Sequence, residues 1–321
     1  MSVLVLAHDS DRVADRVAAE LAGRGVPVAR LNPSSFPQQL SMQAQITRFG
    51  PWQGGLRSAG GEAIDLGRVH AVWQRRSSQF VMDEQMSGPE RAFAYGEARR
   101  GLGGVQAALA GCLWVNDPMA AARAEYKPVQ LAAATGVGLD IPDTLITSDP
   151  EAAHAWAVRL GGPVVYKPLS GVWHADEGEV KVIYTSPVDD PELLLDQRLA
   201  LTAHLFQEQI AKEFEARLIV IGERVFAVRI DAGSDRSRAD WRADYDALTY
   251  TVIEPPAEVT GKLVELHRRL GLVYGAVDMI CEPSGRWVFL ETNQGGEFGW
   301  LAEETGLPIP AAMADLLERG T

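Results

Sequence analysis

Residues 270–300, LGLVYGAVDMICEPSGRWVFLETNQGGEFGW, contain two apolar runs, Tyr274–Cys281 and Trp287–Thr292, flanking Pro283, Ser284 and Gly285. The pattern predicts a β-hairpin. Side chains alternate across a strand, so Glu291 and Asn293 share a face, and a turn centred near Ser284 sets Asp278 opposite Leu290 and Glu291. Two carboxylates and an amide oxygen then converge among apolar residues. Carboxylates buried without compensation are costly. A magnesium ion sharing its oxygens with a substrate phosphate would compensate them, and so would Arg or Lys from another element. The hairpin alone leaves both readings open.

With 321 residues the chain has room for two or three small cores. Hydrophobic residues at 46% and charged residues at 23% describe an ordinary globular protein. The opening MSVLVLAHDSDR has too short an apolar run for a signal peptide to be expected there, and no stretch of 18 apolar residues occurs. Thirty basic against 43 acidic residues give a net charge of −13, which argues against general binding to nucleic acid or anionic membrane but permits a local phosphate site. Cys112 and Cys281 have neither disulfide nor metal-site spacing. A reducing cytoplasm is the expected location.

The opening reads as a β-α-β unit: a strand at 2–7, a helix through Leu21 closed by Gly23 and Gly25, and a strand at 26–31. Its first loop lacks the glycines of a dinucleotide fingerprint, and Asp9 and Ser10 are expected as helix caps. Short antiparallel strands are expected over 40–72 and a better strand at Val69–Trp73. Arg75 and Arg76 follow, available to an anionic partner or to surface ion pairs. A helix covers 89–109, which places Gly101–Gly104 inside it. After a strand at 113–116, Pro118 marks a boundary, and one helix is expected to carry Glu125, Tyr126, Lys127 and Leu131–Ala134. Strands at 141–147 and 164–167 enclose a helix at 151–160.

Lys167 lies in a buried-type strand, where a lysine is rarely without a partner. A phosphate fits, with the polar Ser170–Gly178 loop folding over it, and so does a structural salt bridge. Residues 205–210 form another strand. A hairpin around Gly222 carries Arg217 and Arg229, which need anionic company. The charged stretch 235–245 is expected as a mobile loop, and 258–270 as an amphipathic helix.

In this order, Lys127 ahead of GLDIPDTLIT, Lys167 in VVYKPLSG, the FQEQI segment, FEARLIVIG and the closing VDMI and FLETN resemble the ATP-grasp superfamily over roughly residues 115–310. VWQRR at 72–76, the run from Phe206 to Asp231 and DWR at 240–242 resemble the peptide maturases of that superfamily, the graspetide or microviridin-type macrocyclases. After Asn293 the family often has Pro and a Gly-Gln-Trp-like run. Here Gln294-Gly295-Gly296-Glu297-Phe298-Gly299-Trp300 stands instead, which leaves the roles of Gln294 and Glu297 open.

The resemblance implies an α/β (α+β) ATP-grasp fold: an N-terminal α/β domain over 1–117, a central lobe with a lid over 118–204, and a C-terminal lobe over 205–321. ATP would lie between two antiparallel sheets, with Lys127 and Lys167 on its phosphates and Ser170 and Gly171 opening the lid. Glu208, Gln209 and Ile210 would hold adenine and Glu215 the ribose. Asp278, Glu291 and Asn293 would bind two magnesium ions. A precursor-peptide Asp or Glu would become an acyl phosphate and be attacked by a hydroxyl or amine, with Arg217 and Arg229 as candidates to stabilise developing charge.

For Arg229, pairing with Glu215 or Asp231 is the competing role. Leader binding is expected to involve the central domain and 232–250. A homodimer is left open. One rival reading is a carboxylate–amine ligase for amino acids or small peptides, similar to glutathione synthetase. The other is a non-catalytic ATP-binding module, against which both lysines and the acidic residues argue.

Overall fold

The computed structural model describes residues 1–61, 63–75, 79–109, 111–170, 173–176, 179–234 and 241–320. The N-terminal part begins with β1 (Ser2–Leu6), α1 (Arg12–Gly23) and β2 (Val28–Leu31), then β3 (Leu40–Gln45), β4 (Gln53–Ser58) and β5 (Ala63–Asp65). It continues through β6 (Val69–Gln74), α2 (Gly88–Ala107) and β7 (Leu113–Val115). The continuous apolar run of β1 is central to a parallel sheet of order β2-β1-β6-β7, while β3-β4-β5 form an antiparallel sheet of their own. The cap of α1 is Asp11, which accepts from the Ala14 N–H, rather than Asp9 or Ser10. Asp9 instead accepts from the Asn32 amide at 2.9 Å.

Two helices, α3 (Pro118–Ala124) and α4 (Lys127–Gly136), replace the single helix expected there. Pro128 has no N–H, and its ring crowds the carbonyl four residues back. The helix therefore ends at Ala124 and restarts with Lys127 as its first residue. Next come β8 (Thr144–Thr147), α5 (Pro150–Leu160), β9 (Val164–Lys167), β10 (Trp173–Asp176), β11 (Glu179–Val182), β12 (Ser186–Val188) and β13 (His204–Glu208). An antiparallel sheet of order β12-β9-β13-β8 results, and β10 and β11 pair as a hairpin where a polar loop was expected.

The last part contains β14 (Phe214–Ile221), β15 (Arg224–Ala232), β16 (Leu248–Ile253), α6 (Ala257–Leu270), β17 (Tyr274–Cys281), β18 (Trp287–Asn293), α7 (Gly299–Thr305) and α8 (Ile309–Arg319). Its strands form one antiparallel sheet of order β16-β15-β14-β17-β18. One face, through Ala216, Leu218, Val277, Met279 and Phe289, packs on α3, α4 and α6. The other, through Ile219, Ile221, Val228, Tyr274 and Ala276, packs on α1, α7, α8 and the N-terminal sheet. Packing thus crosses the boundaries at 117 and 204. The helix pair after Pro118 rests on the C-terminal sheet, and the C-terminal helices rest on the first one. Among the described residues, no helix is long and apolar enough to cross a membrane.

Candidate active site

In the β17–β18 hairpin Asp278 and Glu291 are direct cross-strand partners, with the register shifting beyond them so that Met279 meets Phe289. Arg217, opposite Asp278 on β14, donates from Nη1 to Asp278 Oδ1 at 2.7 Å, and both side chains are buried. Glu291 accepts from Lys127 Nζ and, at 3.3 Å, from Arg242 Nη1. Burial alone would raise the Glu291 carboxyl, but Lys127, Arg242 and Lys167 together override it and hold the group well below the usual carboxylate range. Burial pushes the Lys167 ammonium down from its ordinary value, and Lys127 and Arg242 add to that push while Glu291 opposes it. The short element after 240 supplies Arg242 together with Trp241, whose ring lies 5.9 Å from the Arg217 guanidinium.

A buried polar frame holds this hairpin against its neighbours. Gln130, one turn beyond Lys127 on α4, accepts from the Thr292 N–H at 2.8 Å and donates to the Thr292 carbonyl at 2.9 Å, so its amide continues the edge of β18. The lysine and the carboxylate it meets are thereby tied through adjacent residues. The Thr292 hydroxyl lies 3.0 Å from His267 Nε2, while His267 Nδ1 lies 2.8 Å from the Leu263 carbonyl. That carbonyl only accepts, so Nδ1 carries the proton and Nε2 accepts from the hydroxyl. Burial pushes His267 down to about 4. Asn116 secures the other end, donating to the Tyr274 and Gln294 carbonyls and accepting from the Val273 and Tyr274 N–H groups.

Other expected site residues lie elsewhere or are already engaged. Arg229 faces Ala216 across the ladder, whereas Arg217 faces Val228. Alternation therefore puts Arg229 on the opposite face of the sheet from Asp278. There it pairs with Asp231 at 2.7 Å and lies over the Phe214 ring. Glu208 and Gln209 spend their backbone N–H groups on the Asp143 and Pro163 carbonyls, and the Glu208 carboxylate accepts from the Asp143 N–H at 3.4 Å. Ile210 is buried with Ile280, Val288 and Leu290. Glu215 is paired with Lys212. Asn293 is exposed and its Oδ1 accepts from the Gly295 N–H at 3.0 Å.

Ser170 is exposed, while Gly171, Val172, Glu177 and Gly178 of the expected lid lie outside the described residues, as do Arg76 and Asp240. Arg75 is buried rather than superficial, bridging Asp11 and Glu297, each at 3.0 Å. That bridge gives Glu297 a structural role. Gly296 has one too: a Cβ there would stand 2.5 Å from the Ala276 Cβ and 2.9 Å from Arg217 Nη2.

Four cationic side chains, Lys127, Lys167, Arg217 and Arg242, thus gather at two carboxylates, Asp278 and Glu291, in a chain whose net charge is −13. Arg217 Nε is buried without a hydrogen-bond partner among the described residues. Such a surplus of positive charge suits a polyphosphate. Both carboxylates are ion-paired, as the alternative reading of the hairpin held. Two carboxylates and an amide are too few for an all-protein metal cage, but they suit magnesium completed by phosphate oxygens and water.

Known proteins share the fold that carries this site. Residues 2–123 match the family described as the MvdD pre-ATP grasp domain. The whole chain is similar to a Chryseobacterium gregarium RiPP-associated ATP-grasp ligase solved with ADP and a leader and core peptide, at 29% identity, 98% coverage of that chain and a TM-score of 0.91. It is similar over 99% of its length to all of macrocyclase MdnC from Microcystis aeruginosa MRC, solved with precursor peptide MdnA, at 29% identity and a TM-score of 0.85. A glutamate–LysW ligase, ArgX, from Sulfurisphaera tokodaii is 27% identical over 189 residues, 56% of this chain and 64% of that protein. A ribosomal protein bS6–L-glutamate ligase from Salmonella newport is 27% identical over 216 residues, 66% of this chain and 69% of that protein. The chain spans about two thirds of the length of these curated relatives.

Proposed function

We propose, from the premise that this chain belongs to the ATP-grasp ligases in the branch of the ribosomal-peptide macrocyclases, that it activates Asp or Glu side chains of a ribosomally made precursor peptide and closes ester or amide links within it. The observation that carries the reading is the gathering of Lys127, Lys167, Arg217 and Arg242 at Glu291 and Asp278 in an acidic chain. Similarity extending through the N-terminal part to peptide-bound ligases supports a peptide substrate over free amino acids.

ATP would supply the phosphoryl group that activates the carboxylate, and magnesium, expected as two ions, would supply neutralisation of the charge that develops. Lys127 and Lys167 bind phosphate oxygens, which releases Lys127 from Glu291. Glu291, Asp278 and Asn293 would hold magnesium through their oxygens. Arg217, freed in part from Asp278, offers Nε and Nη2 to the transferring group and to the oxyanion formed when a hydroxyl or amine attacks. The side chain of Glu208, the Gln209 carbonyl and the apolar surface of Ile210 hold adenine, and Glu215 accepts from ribose. Ser170 begins the lid that keeps water from the activated carboxyl. Arg229 takes no part, being on the other face of the sheet. The chain is organised as three units, 1–117, 118–204 and 205–321.

Mass spectrometry of short peptides encoded beside this gene tests the reading, each co-expressed with the protein or with Lys167→Ala. Loss of whole multiples of one water mass is expected with the protein and absent with the variant. Unchanged masses in all of them, with ADP formed on free amino acids, would refute it.

A further inference from the structure

Outside the reaction centre, a cavity of about 510 Å³ opens at the far edge of the C-terminal sheet, lined by Tyr245, Asp246, Leu248, Thr249, Tyr250, Trp300 and Glu304. Three of these are aromatic, and the two charged ones, Asp246 and Glu304, are both acidic. Tyr250 and Trp300 meet at 4.9 Å between ring centroids, and Trp241 joins Trp300 at 5.6 Å and Tyr245 at 5.5 Å. The cluster is continuous with the reaction centre, because Trp241 packs over Arg217 and its neighbour Arg242 reaches Glu291. Burial, with Glu304 next, raises the Tyr250 phenol above its ordinary value, in keeping with a carboxylate beside the ring. Aromatic faces rimmed by carboxylates attract a cation strongly and an anion not at all.

The strand that forms the floor points to a peptide as the carrier of that cation. β16 ends the sheet, and its six residues, LTYTVI, include no charged residue and no proline. Edges of this kind are normally guarded by charge, proline or a bulge, because their free N–H and C=O groups pair with any extended chain. Among the described residues no strand pairs with the outer edge of β16, and such an edge beside an acidic aromatic cavity has the two features needed for an extended segment with one basic side chain.

We propose that this cavity receives an arginine or lysine side chain of the peptide substrate, its backbone running along β16, so that the substrate is gripped beside the centre where its carboxylates react. The occupant rests on the peptide-ligase reading; the acidic aromatic cavity and the open edge do not.

Calorimetric titration of the full chain with acetyl-Thr-Val-Arg-Val-Thr-amide, and with its citrulline counterpart, tests the proposal. Citrulline keeps the shape of arginine and removes the charge. Binding of the arginine peptide about tenfold tighter than the citrulline peptide is expected, with the preference abolished in the isosteric surface variant Asp246→Asn/Glu304→Gln. Equal affinities, no binding, or a preference that survives in the variant would overturn the assignment. Thermal-shift titration with ADP on the same samples reads the ligase assignment separately. Stabilisation by ADP without an arginine preference sinks the cavity proposal alone, whereas no stabilisation by ADP counts against the ligase reading itself.

Discussion

The two faces of the C-terminal sheet carry the same residue type to different ends. Arg217 on β14 and Arg229 on β15 belong to one hairpin, yet they are one position out of phase, with Arg217 opposite Val228 and Arg229 opposite Ala216. On one face Arg217 is buried against Asp278, in line with Glu291 and beneath Trp241. On the other Arg229 is 31% exposed, paired with Asp231 two residues along its own strand. Strand parity, rather than residue type or local sequence, decides which arginine meets Asp278.

If the first face is the reaction centre, its carboxylates should matter far more for turnover than for folding. Glu291→Gln preserves size and removes the charge that Lys127 and Arg242 meet. A loss of ligation on the order of 10³-fold or more is expected, read as the rate of dehydrated peptide formation, with the melting temperature as a control. A variant retaining a tenth of the activity would move the reaction centre away from this face.

Arg217→Ala should have the next largest effect, because it strands Asp278 as a buried, unpaired carboxylate. A destabilisation of about 3–5 kcal/mol is expected from urea unfolding at neutral pH. Arg217→Met, which keeps most of the packing but not the charge, should cost as much, whereas a clearly smaller loss in that variant would point to lost packing instead.

His267, on the helix-covered face, gives a sharper test of the frame beneath the site. Its folded pKa, about 4, lies below the unfolded value near 6.5. The unfolded chain therefore takes up a proton that the folded chain refuses. The stability tied to neutral His267 is complete above pH 6.5 and is lost as pH falls towards 4, amounting to about 3 kcal/mol. Unfolding free energies measured at intervals from pH 7 to pH 4.5 should decline for the natural chain and decline less for His267→Gln. Parallel curves would mean that the imidazole is not held neutral.

Much of this contrast is legible in the sequence. The β17–β18 pairing follows from two apolar runs about a Pro-Ser-Gly turn, and period-two alternation then brings Asp278 to Glu291. Lys127 and Lys167 are visible as charges at the boundaries of apolar elements. Arg242 is harder to see: it sits in a charged, aliphatic-poor stretch with no period, and tertiary contacts, among them Trp241 on Trp300 and Arg242 on Glu291, fix its position. The alternating Thr-Tyr-Thr-Val of β16 is a strand signal, but it is easily absorbed into the charged stretch before it. Gln130, His267 and Asn116 are invisible for a different reason. Each satisfies backbone or hydroxyl groups distant in sequence, and local patterning does not report such partners. Arg229 misleads because a strand arginine always needs an anion, and whether that anion is a substrate or Asp231 depends on the neighbouring strand's register.

Arg229→Ala should accordingly have the smallest effect. Asp231, left behind, is partly exposed and keeps its hydration, so the cost is that of a surface pair, about 0–1 kcal/mol, plus the lost contact with Phe214. Ligation rates should stay within about twofold of the natural chain, since a transition-state contact would be worth several kcal/mol. Measured beside Arg217→Ala, the variant tests parity itself. If Arg229→Ala lost turnover as severely while remaining folded, the sheet would have to present both arginines to the substrate, which the ladder register of β14 and β15 does not allow.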